Sequence, residues 1–303
     1  MNKRDFLSIA TLGTQDVSYI FTRAKAFKKG VVDKSLDGKS IVLIFEKSST
    51  RTRISFEVGI FNLGGHPIIL TPEASQMGRG EPIKDTARIL SGYCDGIVMR
   101  TFAHSRIEEM ALSSSVPVVN ALTDLVHPCQ VLSDCFTLNT RFGPLDHKKI
   151  AWIGDGNNMA NSWINAAGLL GFELWIACPK GYAPDKDILA AALKRGAAIK
   201  LVHDPRQAAK DAIAINTDVW ASMGQEKEKA ARGHAFQGFQ VDSSLMALAL
   251  SDAVFMHCLP AHRGQEVTED VLEGHQSIIW EQAQNRLYVQ NAIMESLIKK
   301  KEG

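Results

Sequence analysis

The chain has 303 residues, of which 45% are hydrophobic and 22% charged, a composition typical of a globular protein. This length is long for a single core and suits two domains of about 150 residues each. The net charge of only +1 excludes a nucleic-acid binder that depends on bulk positive charge, so an anionic ligand must be held by Lys and Arg residues at particular places.

Short β-rich runs alternate with longer amphipathic segments along the chain. These runs predict nine strands, the first four of them buried, at residues 41–46, 67–70, 96–99, 116–119, 149–153, 172–177, 198–202, 212–216 and 253–257. Apolar residues spaced three and four apart predict helices at 53–63, 83–92, 157–170, 185–195 and 281–301. The alternation predicts an α/β fold with two parallel-sheet domains, whose ligands bind at the carboxyl ends of the strands.

A polar turn interrupts this pattern near residues 140–148. We therefore expect one domain at residues 1–140 and a second at 148–285, joined by interdomain helices. The C-terminal helix, 286–303, is expected to pack back on the first domain.

The N-terminal segment, the apolar stretches and the cysteines do not indicate a secreted or membrane protein. The N-terminal MNKRDFLSIATLG lacks a signal-peptide core, and the apolar stretch 168–178 is too short to span a membrane. The cysteines are odd in number and lack metal-ligand spacing: Cys94, Cys129, Cys135, Cys178 and Cys258. We expect a cytoplasmic protein with reduced thiols, and no metal site.

The first predicted strand runs directly into KSSTRTR, residues 47–53, and then into a helix. The free N–H groups of a helix start and nearby hydroxyls bind anions, and the guanidinium groups of Arg51 and Arg53 match phosphate oxygens. Alternatively, Ser49 or Thr50 merely caps the helix while the arginines are solvated. The local pattern favours neither explanation.

Further motifs follow in order: Arg100 after the third strand and His-Pro-Cys-Gln at 127–130. Together with STRTR they resemble the carbamoyl-phosphate site of the aspartate/ornithine carbamoyltransferase family. The resemblance implies a carbamoyl-phosphate site formed by Ser49, Thr50, Arg51, Thr52, Gln76, Arg100, His127, Gln130 and Arg286. Without these motifs, His127 would be explained better as a packed or surface histidine and Gln76 as part of a solvent loop.

The resemblance also assigns chemical roles. Arg51, Arg100 and His127 would act in catalysis, with arginine and histidine polarising the carbamoyl carbonyl and stabilising an oxyanion. Gln130 would bind the carbamoyl NH2 through its amide oxygen.

Motifs in the second half are similar to those of the ornithine-specific members of the family: Asn157-Asn158, DVWASMG at 218–224 and HCLP at 257–260. The resemblance implies an ornithine site formed by Asn158, Asp218, Ser222, Met223, Cys258 and Leu259. Asp218 would pair with the α-ammonium, and Cys258, also counted as catalytic, would orient the δ-amine. For an isolated cysteine, a small buried residue at a strand end would be the simpler explanation.

Over the whole chain, the resemblance implies an enzyme that transfers the carbamoyl group of carbamoyl phosphate to the δ-amine of L-ornithine. The products would be L-citrulline and phosphate. Arginine biosynthesis is expected over arginine breakdown, but both directions stay open because one site catalyses both. It implies a homotrimer in which Gln76 reaches the site of the neighbouring chain, and it requires no metal and no organic cofactor.

Three alternatives remain. Residues 154–160, GDGNNMA, resemble the fingerprint of NAD-dependent dehydrogenases, but the next strand ends in ACPK without an acidic residue for the ribose. A non-enzymatic amino-acid-binding protein would leave Arg51, Arg100 and His127 unexplained. A metal site at His257 and Cys258 is disfavoured because we expect no third or fourth ligand near them.

Overall fold

The structure is a computed structural model that describes residues 4–73, 75–221 and 228–298. The chain divides into two units, the first formed by Met1–Phe136 and Gln284–Gly303 and the second by Thr137–Ala283. It passes between them within two helices, Pro128–Phe142 and Ile279–Ile298.

The first unit contains a parallel sheet with the strand order β2-β1-β3-β4. Its strands are β1 (Ser40–Phe45), β2 (His66–Leu70), β3 (Gly96–Arg100) and β4 (Val118–Leu122). The chain order reverses between β1 and β3, and Phe45 pairs with Arg100 at their carboxyl ends. Loops leave these two strands in opposite directions, which opens a crevice for a ligand at this topological switch point.

All four strands were predicted, but the expected burial of 67–70 is wrong. β2 lies at the edge of the sheet, and its side chains are half-buried or exposed. A strand at an edge is paired on one side, so its apolar run does not guarantee burial.

Helices pack against this sheet through apolar residues at helical spacing. Ile107, Met110 and Ala111, for example, join the buried cluster that contains Ile97 and Met99. The helices whose bounds lie wholly or partly in this unit are α1 (Thr14–Lys28), α2 (Thr50–Asn62), α3 (Ile83–Ser91), α4 (His104–Ser113), α5 (Pro128–Phe142) and α12 (Ile279–Ile298), with 3-10 helices at Ile9–Thr11 and Gln76–Arg79.

Helix α12 packs closely on α2 within the first unit. A Cβ atom at Gly59 would collide with the side-chain oxygen of Asn291, so the missing side chain permits the close approach. Nearby, Arg23 on α1 forms an ion pair with Glu295 at 2.7 Å.

The second unit contains a parallel sheet with the order β7-β6-β5-β8-β9. Its strands are β5 (Lys149–Ile153), β6 (Glu173–Ala177), β7 (Ile199–Val202), β8 (Ala214–Thr217) and β9 (Val254–His257). Each was predicted, β5 with the same bounds. The chain order reverses between β5 and β8, where Ile153 pairs with Thr217, so this sheet also has a switch point.

The helices that follow these strands along the chain are α6 (Asn158–Leu170), α7 (Lys186–Lys194), α8 (Pro205–Ala209), α9 (Lys229–Ala235), α10 (Ser243–Met246) and, after β9, α11 (Glu269–Leu272). The predictions at 157–170 and 185–195 are confirmed by α6 and α7. The helix predicted at 281–301 corresponds to α12, and its end beyond residue 298 lies outside the described residues.

Two further observations concern both units. Among the helices in the described ranges, none is long and apolar enough to cross a membrane. All five cysteines are free, four of them buried and Cys258 partly accessible.

Candidate active site

The start of α2 places polar groups at the switch point of the first sheet. Ser49 precedes the helix with extended backbone, yet its side chain makes no capping hydrogen bond. Its hydroxyl instead accepts a hydrogen bond from the Arg100 guanidinium at 3.0 Å. The Ser49 side chain therefore does not cap the helix but ties the residue before α2 to the end of β3.

The next residues of α2 point in different directions. Arg51 is exposed, while Thr52 is buried and its hydroxyl accepts a hydrogen bond from Arg286 at 2.7 Å. Arg53 is also exposed and lies 3.8 Å from Glu57 one turn later. A cavity of about 550 Å³ beside this helix start is lined by Ser48, Thr50 and Arg53, among others.

His127 is buried immediately before α5 and lies in a strongly positive environment. Burial, and then the charges of Arg286, Arg100 and Arg51, hold the pKa of its imidazole well below the usual value. The ring is therefore neutral at pH 7 and keeps one N–H donor. The structure thus brings together four of the predicted residues, from β3, α2, the start of α5 and α12.

Gln130 is buried in the first turn of α5 and donates a hydrogen bond from its amide nitrogen to Asp134 at 2.8 Å. The two residues are four apart, so they lie on the same face of the helix. The sequence reasoning did not find Asp134, because a buried aspartate inside an amphipathic helix carries no pattern that indicates a site.

Gln76 is exposed in the 3-10 helix Gln76–Arg79. Two glycines follow in this segment. A Cβ atom at Gly78 would collide with the carbonyl oxygen of Pro72, so Gly78 allows close backbone packing. Gly80 has a φ of 95°, which an L side chain adopts with strain.

In the second unit, Asp218 lies buried directly after β8, at the switch point. One carboxylate oxygen accepts a hydrogen bond from the Asn157 amide at 3.0 Å, and the other accepts one from the Cys258 thiol at 3.2 Å. Loops after β5, β8 and β9 thus bring these three side chains together.

Asn157 has a second role at the start of α6. Its side-chain oxygen accepts hydrogen bonds from the backbone N–H groups of Met159 and Ala160, which caps the helix. The cap fixes the amide so that its nitrogen faces Asp218. The predicted ligand Asn158 is the first residue of the helix and is half-buried.

The turn after β9 is held by a buried histidine. His257 accepts a hydrogen bond at Nδ1 from the N–H of Leu259 at 2.8 Å, and its Nε2 lies 3.2 Å from Glu266. Leu259 has a φ of 59°, a conformation that costs a non-glycine residue about 1–3 kcal/mol. These contacts fix the backbone of the turn that carries Cys258 and Leu259. The sequence did not indicate Glu266, because this residue lies nine positions after His257 and outside the HCLP motif.

The expectation that no third metal ligand lies near His257 and Cys258 is wrong. Their ligand atoms and one of Asp218 all lie within 4.8 Å of one another. However, both ring nitrogens of His257 and both oxygens of Asp218 already have partners, and the Cys258 thiol contacts Asp218. A metal ion would have to break these hydrogen bonds, so the group fits a network of hydrogen bonds better than a metal site.

The predicted ligands Ser222 and Met223 lie outside the described residues. Arg232, which follows them in the chain, contacts three other residues. It donates hydrogen bonds to the carboxylate of Asp155 and the carbonyl of Trp220, each at 2.8 Å, and it lies 2.9 Å from Glu228. Burial raises the pKa of Asp155 to about 6, although Arg232 favours its ionised form.

The loop after β5 is poorly suited to a dinucleotide. In that fingerprint, the second glycine lets the pyrophosphate approach the backbone. Here the backbone of residues 182–184 occupies that space, since a Cβ atom at Gly156 would collide with Ala183 and Pro184. This packing argues against the NAD alternative.

Comparison with known families gives two matches that together span most of the chain. Residues 4–140 match the family model described as aspartate/ornithine carbamoyltransferase, carbamoyl-P binding domain. Residues 146–297 match the model described as aspartate/ornithine carbamoyltransferase, Asp/Orn binding domain.

Individual relatives match over nearly their full length. The chain is 52% identical over 301 residues to an ornithine carbamoyltransferase of Geobacter metallireducens, covering 98% of this chain and 99% of the relative. It is 54% identical over 293 residues to one of Nitratidesulfovibrio vulgaris, covering 96% and 98%.

Solved structures agree. The ornithine carbamoyltransferase of Pyrococcus furiosus is 44% identical with a TM-score of 0.93, covering 98% of this chain and 97% of that one. The anabolic ornithine carbamoyltransferase of Campylobacter jejuni is 41% identical with a TM-score of 0.93, covering 98% and 100%.

Proposed function

The chain belongs to the aspartate/ornithine carbamoyltransferase family, and we propose on this basis that it is an enzyme that carbamoylates the δ-amine of L-ornithine. Carbamoyl phosphate is the donor, and the products are L-citrulline and phosphate. The observation that carries the proposal is the hydrogen bond between the Cys258 thiol and Asp218. These two residues belong to the HCLP and DVWASMG motifs, which are similar to those of the ornithine-specific members.

We assign carbamoyl phosphate to the first unit. Arg51, Arg100 and Arg286 surround the neutral His127 with positive charge, and Ser49, Thr50 and Thr52 add hydroxyl groups at the start of α2. The arginines hold the phosphate and stabilise it as a leaving group, while His127 and Arg100 polarise the carbamoyl carbonyl. Gln130 accepts a hydrogen bond from the carbamoyl NH2.

We assign ornithine to the second unit, to Asn158, Asp218, Ser222, Met223, Cys258 and Leu259. The buried carboxylate of Asp218 pairs with the α-ammonium, and Met223 covers the methylene groups of the substrate. Cys258 and the Leu259 carbonyl orient the δ-amine. Asn157 supports this assignment because it donates to one carboxylate oxygen of Asp218 while Cys258 donates to the other.

The reaction requires a neutral amine. The δ-amine of ornithine resembles that of lysine, with a pKa of about 10.4, so its neutral form costs about 4.6 kcal/mol at pH 7. Loss of solvent in the site lowers that pKa. The amine attacks the carbamoyl carbon, the C–O bond to phosphate breaks, and the departing phosphate accepts the proton. No step requires a metal or an organic cofactor.

We further propose that residues 1–140 form the carbamoyl-phosphate domain and 148–285 the ornithine domain, with 286–303 returning to the first. The family matches at 4–140 and 146–297 support this division. The hydrogen bond from Arg286 to Thr52 supports the return of the last helix.

The proposed assembly is a homotrimer with shared active sites. An exposed apolar stripe on α2 supports it, formed by Ile54, Val58 and Phe61 with exposures of 53%, 41% and 72%. An exposed patch of this kind marks an interaction surface. Gln76 is exposed in the single chain, and the open cavity beside Thr50 offers room for a neighbouring loop.

We place the enzyme in the cytoplasm and in arginine biosynthesis. The similarity to the Campylobacter jejuni protein, which is called anabolic, supports that direction.

The proposal is tested by offering four amines with carbamoyl phosphate: L-ornithine, putrescine, N-acetylornithine and L-aspartate. Phosphate release and the carbamoylated product are measured for each. L-Ornithine should exceed every other acceptor in kcat/KM by at least about 100-fold, because a site built for a charged α-amino-acid end rejects analogues that leave its polar groups unpaired. Equal or faster reaction with another acceptor would overturn the assignment.

A further inference from the structure

The buried amide of Gln130 has one end fixed and one end available. Its nitrogen donates to Asp134 at 2.8 Å, and both side chains are almost completely buried. Its oxygen is also buried and has no hydrogen-bond partner in the part of the chain that the structure describes. Leaving a buried amide oxygen unpaired is unfavourable, so this position favours a hydrogen-bond donor supplied by a bound ligand.

Asp134 decides which end of the amide is presented. An ionised carboxylate only accepts hydrogen bonds, so it draws the NH2 group of Gln130 to itself. Since the amide is planar, its oxygen then points away from Asp134. The amide would otherwise be free to rotate and could present its NH2 group instead.

The donor fits the proposed substrate. Gln130 follows His127 by three residues at the start of α5, next to the cluster that contains Arg51, Arg100 and Arg286. The carbamoyl group carries an NH2, whereas an acetyl group of nearly the same shape carries a methyl group that cannot donate. An oriented amide oxygen therefore distinguishes the two acyl phosphates.

We propose that Asp134 is a positioning residue that sets donor specificity: it orients Gln130 so that the site selects a carbamoyl over an acetyl phosphate. This inference rests on the proposed function. It assigns Asp134 no contact with the substrate, and it predicts that Asp134 acts only through Gln130.

The test measures discrimination, defined as the inhibition constant of acetyl phosphate divided by the KM of carbamoyl phosphate, at saturating L-ornithine. A general loss of phosphate binding affects both constants and cancels. Asp134→Leu removes the acceptor and fills the space, whereas Asp134→Ala removes the acceptor and leaves the space empty. Each variant should lower discrimination about tenfold or more. Asp134→Asn keeps an acceptor oxygen and should stay within about threefold of the wild type.

A double-mutant cycle separates positioning from a structural role. Gln130→Leu should itself lower discrimination, and adding Asp134→Leu or Asp134→Ala should then lower it no further. Unchanged discrimination in the single Asp134 variants would overturn the inference, as would an equal further loss in the Gln130→Leu background. A wild-type enzyme that forms no citrulline would instead refute the proposed function, so the two failures are distinguishable.

Discussion

His127 is the residue whose chemistry depends most on its surroundings. Its burial beside three arginines keeps the imidazole neutral, and a neutral ring next to these charges can donate a hydrogen bond to a carbonyl oxygen without adding further positive charge. A lysine or a protonated histidine at this place would repel Arg286 and Arg100. Burial and then the charges of the proposed anion-binding cluster therefore lower the pKa of His127 together.

The depressed pKa of His127 predicts a pH-dependent stability. The unfolded chain takes up a proton on this histidine as the pH falls below about 6.5, whereas the folded chain does not. As the pH is lowered below 6.5, the free energy of unfolding of the wild type should therefore decrease relative to that of His127→Gln, by up to about 1.4 kcal/mol per pH unit. Urea unfolding at several pH values measures this difference. His147→Gln, changed at an exposed ring, is the matched control. A difference that stays constant with pH would contradict a depressed pKa.

Asp218 should act on ornithine and not on carbamoyl phosphate. Asp218→Asn removes the charge assigned to the α-ammonium, so the dissociation constant of L-ornithine should rise about tenfold or more, while that of carbamoyl phosphate changes little. Isothermal titration calorimetry with each ligand measures both effects. Asp252→Asn, at an exposed loop position, is the control. Equal weakening of both ligands would remove Asp218 from the ornithine site.

Among the elements, α2 and α12 show how packing places a binding residue. The close approach at Gly59 brings α12 against α2, and Arg286 then reaches Thr52. Neither contact is visible as a local pattern, because the partners lie more than 200 residues apart in sequence.

Two helical glycines should respond oppositely to alanine. Gly59→Ala inserts a methyl group where Asn291 already lies, so it should destabilise the protein by about 1–3 kcal/mol and raise the KM of carbamoyl phosphate. Gly168 on α6 has only ordinary contact distances around an added Cβ, so Gly168→Ala should stabilise by about 0.5–1 kcal/mol. Thermal unfolding of both variants tests this, and a stabilising Gly59→Ala would contradict the packing described for α2 and α12.

Most of the fold follows from local sequence. Each strand is a short apolar run between turn signals, and such a run can be recognised from the local sequence alone. β4 was predicted two residues early, at 116–119 instead of Val118–Leu122. Pro117 explains this difference, since it has no N–H to donate to a ladder. The exposure of β2 was not predictable, because it depends on the strand order across the sheet.

The site was predictable as a set of residue types and not as a network. The motifs indicated Asp218 and Cys258. The Asn157 side chain both caps α6 and donates to Asp218, and this contact exists only because the loops after β5 and β8 meet. Asp134 and Glu266 act through Gln130 and His257, and no spacing indicates such indirect roles.

For the whole molecule, the central prediction is that Arg51 and Gln76 of one active site come from different chains. Arg51→Ala should lower kcat by about 10²–10³-fold, and Gln76→Ala should also be nearly inactive. When the two variants are unfolded, mixed equally and refolded, a site is intact if one chain carries wild-type Arg51 and its neighbour wild-type Gln76. One half times one half predicts that about a quarter of the activity returns. Activity that stays at the level of the parents would place both residues in one chain.

The claim that most needs a direct test is that the carbamoyl carbon bonds to the δ-nitrogen while Asp218 holds the α-ammonium. ¹³C-labelled carbamoyl phosphate is incubated with L-ornithine labelled with ¹⁵N at either the δ or the α position, and the product is examined by NMR. We expect a one-bond ¹³C–¹⁵N coupling with the δ label and none with the α label. Coupling to the α-nitrogen, or no labelled product with either substrate, would contradict it.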